Sequence, residues 1–162
     1  MNIYEYLQNK FTLIRNERYR YYDISDSTKK ILCDIGLPQN PLNFIEFNIL
    51  GIENIILENK YIVIGNDLGT NICVVNHTNE IVSFDIEYEY PMRFVNSSLE
   101  NLINFIIIFL SYYNELDNIE ENEEEKVISC IKNKFNSIDP KALSNDENWW
   151  AIILEQLELD YI

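Results

Sequence analysis

With 162 residues, 47% of them hydrophobic, the chain is long enough to form one globular domain with a sizeable core. Its net charge of −15, from 12 basic and 27 acidic side chains, argues against direct binding to nucleic acid and favours either a basic protein partner or simple solubility. The longest apolar run, FIIIFL at 105–110, is too short to span a membrane and the N-terminus has no signal-peptide pattern, so we expect a cytoplasmic protein.

Two helices are predicted in the N-terminal part of the chain. Apolar residues recur every three or four positions over residues 2–15, which indicates one buried helix face. Ser25 is a typical N-cap for a second helix over residues 26–35, and Gly36 is a typical helix end. Residues 42–57 mix strand-like pieces with turns, and their pattern does not fix a register.

The centre of the chain predicts a β-hairpin. Residues 61–65 (YIVIG) and 72–75 (ICVV) are continuously apolar, which is typical of strands covered on both faces. The loop between them contains Gly65 and Gly69 but no lysine, and a strand rather than a helix follows, so the pattern argues against a phosphate-binding loop. We expect both glycines to permit positive φ in a hairpin turn.

Residues 80–90 (EIVSFDIEYEY) alternate between apolar and polar side chains, which predicts a half-buried strand. Its polar face carries Asp85, Glu87 and Glu89, roughly 6.7 Å apart along the strand, and like charges at this spacing repel each other. The row is either an ordinary solvated sheet face, neutralised by nearby basic residues, or an acidic surface that extends to Asp67 and meets a basic partner.

A long helix and an acidic helix start are predicted after the sheet. Ser97 and Glu100 form a capping box for a helix from about 98 to 116, whose apolar stripe we expect to lie across the sheet. The run EENEEE at 120–125 precedes residues with helical spacing. Its carboxylates therefore fall at a helix N-terminus, where the macrodipole favours them.

The last predicted helix carries two adjacent tryptophans. Ser144 and Glu147 form a second capping box, and Trp150 belongs to an apolar stripe that continues to Leu157. Trp149 lies about 100° away around the helix, so we expect it to be less covered. It either packs beneath a neighbouring loop or serves as an interface anchor, because Trp is enriched in binding hot spots.

The sequence contains no constellation typical of catalysis or metal binding. Its single histidine, His77, lies in the polar turn NHTNE without a nucleophile motif to serve. Cys33, Cys73 and Cys130 are far apart and lack CxxC spacing, which argues against zinc or disulfides and favours core positions. We therefore expect no enzymatic activity, no metal and no cofactor.

The order of these elements predicts an α+β fold. Helices come first, a meander of strands follows, and helices close the chain, which indicates a single domain with a mostly antiparallel sheet flanked by helices. We expect residues 1–162 to form this domain, with a helical C-terminal extension at about 119–162.

Several stretches occur in an order that is typical of one superfamily. They are the helix end CDIGLP, the central IVIGNDLGTNICVVNHTNEIVSFDIE and the start of the long helix, FVNSSLENLINFI. Together they resemble the SUKH superfamily of bacterial immunity proteins and related regulators, and IDPKAL and NWWAIILEQLE are similar to the C-terminal extension of one subgroup. The similarity covers about residues 25–159, although Leu68 stands where a glycine or another small residue is expected.

This resemblance implies a function in protein binding. It implies that the protein neutralises a cognate toxin, for example a nuclease, by occluding it, without catalytic residues of its own. The alternative that it implies is a cytoplasmic regulatory scaffold that docks on host proteins. Our candidate partner-binding residues are Asp67, Asp85, Glu87, Glu89 and Trp149.

Overall fold

The computed structural model describes residues 2–47, 56–57, 60–85, 87, 89–116 and 118–159, and it begins with short helices and a two-stranded sheet. Helix α1 spans Ile3–Lys10, and strand β1 (Leu13–Ile14) pairs antiparallel with β2 (Leu37–Pro38). Between the strands lie a 3-10 helix (Glu17–Tyr21) and helix α2 (Asp26–Lys29), which continues as a π-helix (Lys30–Ile35). The predicted second helix and its Ser25 cap are confirmed, since Ser25 Oγ accepts from the Thr28 N–H at 3.2 Å.

Helix α1 ends earlier than its apolar spacing predicts. Asn2 and Glu5 form a capping box at its start, but the chain becomes extended at Phe11. Ile14, which we placed on the helix face, pairs instead with Leu37 in the small sheet. The predicted first helix is therefore confirmed over Ile3–Lys10, and its extension to residue 15 is wrong, because a buried strand residue can satisfy the same spacing as a helix face.

The main sheet has five antiparallel strands in sequence order. They are β3 (Ile56–Leu57), β4 (Tyr61–Asn66), β5 (Asn71–Val75), β6 (Ile81–Phe84) and β7 (Arg93–Asn96). One face of the sheet joins the main core together with the helices, and the other face forms a separate apolar cluster. The predicted burial of residues 61–65 and 72–75 on both faces is confirmed.

The predicted half-buried strand over residues 80–90 is confirmed as a strand over Ile81–Phe84, where β6 ends, but its length and its half-burial are wrong. All four residues of β6 are buried, and the chain turns immediately afterwards. The Asp85 carboxylate accepts the backbone N–H groups of Glu87 and Tyr90, both at 3.1 Å, and this closes the turn towards β7. Ile86 and Tyr88, two apolar positions of the predicted alternation, lie outside the described residues.

Gly65 permits a close backbone contact, whereas we predicted that it serves a turn. A Cβ atom at this position would lie 2.5 Å from the Glu46 carbonyl oxygen and 2.8 Å from Cδ1 of Phe47. Positive φ in the β4–β5 loop belongs to Leu68 (φ 68), and neither Gly65 nor Gly69 adopts it. The expectation that both glycines supply positive φ is therefore wrong.

Three helices complete the main core with the sheet. Helix α3 (Leu99–Leu116) is the long helix predicted after the sheet, and α4 (Glu121–Ile138) contains the acidic run. After a 3-10 helix (Pro140–Leu143), α5 covers Trp149–Glu158. Helices α4 and α5, which we predicted as an extension, contribute to the main core. None of the helices in the described part of the chain has both the length and the apolar character needed to cross a membrane.

Both predicted capping boxes differ from the observed helix starts. Ser98, not Ser97, caps α3 by accepting the Asn101 N–H at 3.1 Å. Helix α5 begins after Asn148, and Ser144 instead ends the preceding 3-10 helix. Ser97 does not cap α3, because its hydroxyl and its N–H donate to a buried carboxylate at the end of α4.

That carboxylate, Asp139, is the centre of a buried polar network. It accepts from Ser97 N (2.7 Å), Ser97 Oγ (2.8 Å) and Asn96 Nδ2 (3.1 Å). Asn96 Oδ1 in turn accepts the indole N–H of Trp150 at 2.9 Å. The network connects β7, α4 and α5, and each of these polar groups has a partner, as burial requires.

Replacing Gly65 with Ala is expected to destabilise the protein by about 1–3 kcal/mol, because the new methyl group overlaps the Glu46 backbone. The matched variant Gly69→Ala is expected to cost less than about 1 kcal/mol, since the nearest atom to its Cβ is Cε2 of Tyr90 at 3.7 Å. Urea unfolding followed by circular dichroism measures both values. Equal costs for the two variants would contradict the close-contact role of Gly65.

Candidate functional site

A groove of about 420 Å³ opens between the β4–β5 loop, the turn before β7 and helix α5. Apolar and aromatic side chains form most of its walls, and a few polar groups converge on it, which is the usual composition of a binding site. The groove is lined by Phe44, Asp67, Leu68, Gly69, Thr70, Ser83, Tyr90, Arg93, Trp149, Ile152, Ile153 and Gln156. Two of the candidate residues from the sequence, Asp67 and Trp149, are in this set.

Asp67 and Trp149 are in direct contact although 82 residues separate them in the sequence. The indole Nε1–H of Trp149 donates to Oδ2 of Asp67, and Oδ1 accepts from both the backbone N–H and the hydroxyl of Thr70. The Thr70 hydroxyl also lies within hydrogen-bond distance of the Ser83 hydroxyl. These bonds attach the β4–β5 loop to α5 and to β6.

Trp149 is buried, with 5% of its surface exposed against 0% for Trp150, so it is only slightly less covered than its neighbour. Its ring packs against Phe44, with centroids 6.0 Å apart, and against Trp150 at 4.8 Å. The loop that holds Asp67 approaches α5, and Asp67 accepts the indole N–H of Trp149. Trp149 therefore forms a wall of the groove, and its position corresponds to the packing alternative that we considered.

The acidic row Asp85, Glu87 and Glu89 does not exist as a strand face. Asp85 is buried, and its carboxylate is occupied by the two N–H groups of the turn. Glu87 and Glu89 are exposed on that turn, directly before Tyr90 of the groove. The structure therefore brings Asp67 and Trp149 together. Glu87 and Glu89 precede a groove residue in the sequence but are not in the groove lining. The Asp85 carboxylate stabilises the turn.

Exposed apolar side chains at the groove were missed by the sequence analysis. Leu68 is 83% exposed, Tyr90 51% and Met92 55%, and Met92 lies between two residues that line the groove. Leu68 is also held at φ 68, a conformation that is uncommon and costly for a leucine. In the sequence, the unexpected leucine between Gly65 and Gly69 was the one feature that could have indicated an exposed apolar side chain here.

Arg93 is the basic residue among those that line the groove. Its side chain is 22% exposed, and it lies at the start of β7 opposite Ser83. Its Nη2 is 3.9 Å from Oε2 of the exposed Glu147, and its Nη1 is 3.5 Å from the Pro91 carbonyl oxygen. Both contacts are too long to be strong hydrogen bonds.

The remaining reactive side chains lie outside the groove. His77 is exposed in the β5–β6 turn, as predicted, and its Nδ1 is 2.7 Å from Oδ2 of Asp23. Cys33 and Cys73 are buried as predicted, and burial raises the pKa of the Cys73 thiol to about 12, but Cys130 is exposed. In the described ranges, no group of three or more His, Cys, Asp or Glu side chains is arranged to hold a metal ion.

A double-mutant cycle tests whether the Trp149–Asp67 bond holds the groove wall in place. We expect Trp149→Phe and Asp67→Ala to couple by about 0.5–3 kcal/mol in the free energy of unfolding, because each removes one half of the same bond. The control cycle pairs Asp67→Ala with Trp150→Phe, whose indole bonds to Asn96 instead. Additive effects in the first cycle would contradict the link between the loop and α5.

Comparison with known protein families gives a match that covers most of the chain. Residues 12–156 match the family described as SUKH-4 immunity protein, and this range includes the main sheet, the groove and nearly all of α5. No curated protein and no solved structure matches the chain significantly. Membership of an immunity family implies a toxin as partner, and such families are generally non-enzymatic. Because the match covers most of the sequence, this protein belongs to the SUKH-4 immunity protein family.

Proposed function

We propose that this protein binds a cognate toxin and neutralises it by covering the toxin's functional site. Family membership supports the role in immunity, and the groove with exposed Leu68 and Tyr90 in its lining is the observation that supports the location. Clustered apolar exposure is characteristic of protein interaction surfaces. Occlusion requires no catalytic residue, metal or cofactor from the immunity protein, and we propose that it occurs in the cytoplasm.

The shape of the groove supports its use as a preformed docking site. The Asp67 carboxylate fixes the β4–β5 loop through Thr70 and Trp149, and this holds Leu68 outward at positive φ. Asp85 fixes the neighbouring turn in the same way, with its carboxylate on two backbone N–H groups. We therefore assign Asp67, Asp85 and Trp149 a role in partner binding through the positions of the residues around them.

Charge supports a basic toxin as the partner. The protein carries a net charge of −15, and Glu87 and Glu89 are exposed in the turn that borders the groove. A toxin that acts on nucleic acid presents a basic surface for its substrate, and an acidic immunity protein is attracted to that surface. Such attraction accelerates encounter and weakens as salt is added.

The experiment is co-expression with the toxin whose gene neighbours that of this protein. We expect the wild type to protect cells and to bind the purified toxin, and we expect Leu68→Asn combined with Tyr90→Ser to weaken binding by about tenfold or more. Asn adopts positive φ more readily than Leu, so the fold should tolerate the change at residue 68. Calorimetry measures binding, and thermal unfolding checks the fold.

Tyr21→Ser is the matched control, because Tyr21 is exposed on the N-terminal 3-10 helix and contributes nothing to the groove. Wild-type affinity for the double variant, or equal losses for the variant and the control, would contradict the groove as the interface. A wild-type protein that neither binds nor protects against the neighbouring toxin would contradict immunity and favour the regulatory-scaffold alternative.

A second experiment tests electrostatic attraction at the groove. Reversing Glu87 and Glu89 to Lys is expected to slow association with the toxin about tenfold at low salt, with a smaller effect at high salt. Asp85 is left intact because its carboxylate closes the turn. The control reverses Glu123 and Glu125 on α4, which makes the same change in net charge away from the groove lining. Equal slowing of association in both variants would show that only the net charge matters and that the acidic residues beside the groove have no special role.

A further inference from the structure

Arg93 has donors in the groove that the protein does not use. Its Nε is inaccessible to solvent and has no hydrogen-bond partner within the described part of the chain. Among the described residues, its two terminal nitrogens make long contacts alone, to the Pro91 carbonyl oxygen and to Glu147. A guanidinium carries five N–H donors in a planar fork, and a buried donor without a partner is costly. The donors that a ligand in the groove can reach are the terminal N–H groups, on a side chain that is 22% exposed.

The acid in the same groove does not supply the missing partner. Asp67 is occupied by Thr70 and by the Trp149 indole, all neutral donors. Among the described residues, the carboxylate that lies within 4.0 Å of Arg93 is that of Glu147, which is largely exposed. The groove therefore combines a fully bonded carboxylate with a guanidinium that has spare donors, and the complementary ligand group is an anion.

The surface next to Arg93 suits an apolar group. Trp149, Ile152 and Ile153 line one side of the groove, and Tyr90 lines the other lip. A volume of about 420 Å³ accommodates more than one side chain of a bound segment. The required ligand is therefore a carboxylate with an apolar neighbour.

We propose that the groove binds a segment of the toxin in which the carboxylate of an Asp or Glu side chain pairs with Arg93 while an adjacent apolar side chain packs on Trp149 and Ile153. This rests on the proposed function and specifies how one toxin is distinguished from another. A guanidinium and a carboxylate pair through two parallel bonds, so the contact depends strongly on position.

The pattern of charges around Arg93 adds to this selectivity. Glu87, Glu89 and Glu147 are exposed around or beside the groove, so they attract basic groups that flank a bound carboxylate. A basic toxin surface that contains one acidic position is complementary to an acidic surface that contains one basic position. A toxin with a basic residue at that position places like charges together and is rejected.

The first experiment uses small probes, so it does not depend on the toxin. We titrate 15N-labelled protein with 4-phenylbutanoate and with the neutral analogue 4-phenylbutanamide, and follow the Arg93 Nε–H and Trp149 indole N–H signals by NMR. The carboxylate is expected to bind with millimolar affinity and at least about fivefold more tightly than the amide. Arg93→Gln is expected to remove this difference, and Arg18→Gln, at an exposed arginine on the 3-10 helix, to retain it.

Three results would overturn the proposal: equal binding of the two probes, no shift of the groove signals at about 20 mM probe, or loss of the preference in Arg18→Gln as well. A preference that persists in a folded Arg93→Gln variant would also overturn it. If Arg93→Gln does not fold, Arg93→Lys replaces it and is expected to bind the carboxylate more weakly, because Lys lacks the planar fork. Signals that shift with protein concentration alone would show that a second copy occupies the groove.

The second experiment uses the complex with the toxin. Arg93→Gln is expected to weaken binding at least about tenfold, chiefly through faster dissociation, and to be non-additive with one Asp→Asn or Glu→Gln change in the toxin. Full protection by Arg93→Gln would overturn the inference while the proposed function stands. A selective probe response with no binding of the toxin by the wild type would instead reject the proposed function.

Discussion

The indole N–H groups of the two adjacent tryptophans need buried acceptors, and this requirement determines where helix α5 lies. Trp150 donates to Asn96 on β7, and Trp149 donates to Asp67 in the β4–β5 loop. Both acceptors belong to the sheet region, so the helix is fixed against it at two points. An indole buried without an acceptor would lose a hydrogen bond to water and gain nothing in return.

The same two bonds connect the core to the groove. Asn96 is itself oriented by Asp139, and this links the position of α5 to the end of α4. Asp67 is oriented by Thr70, so the loop that approaches α5 is held with Leu68 exposed. A rigid wall with exposed apolar residues at its border loses little conformational entropy when a partner docks, which is how preorganised surfaces gain affinity. The shape of the groove is thus a direct product of core packing.

Local patterns in the sequence predicted the parts of the fold that depend on local energetics. The strands at 61–65 and 72–75, the long helix after the sheet and the Ser25 cap all follow from hydrophobic runs and capping, and all are confirmed. The α+β class and the antiparallel sheet follow from their order. The family resemblance added the expectation of an immunity protein, which the match over residues 12–156 supports.

The errors arose where one side chain changes the path of the backbone or where the contact is distant in sequence. The alternation of apolar and polar residues in the sequence continues past Phe84, but the Asp85 carboxylate accepts two backbone N–H groups and the strand ends there. Asp139 takes Ser97 away from the helix start, and the cap passes to Ser98. The Asp67–Trp149 contact spans the central sheet and two helices in sequence, so no local pattern contains it.

Hydrogen–deuterium exchange of the protein with and without its toxin tests the central claim, that the groove is the surface which covers the toxin. The claim predicts slower exchange on binding in peptides that contain residues 67–70, 89–93 and 149–156, because these backbone segments border the groove. It also predicts little change in the exposed part of α4. Protection confined to α4 or to the N-terminal helices, with no change around the groove, would contradict it.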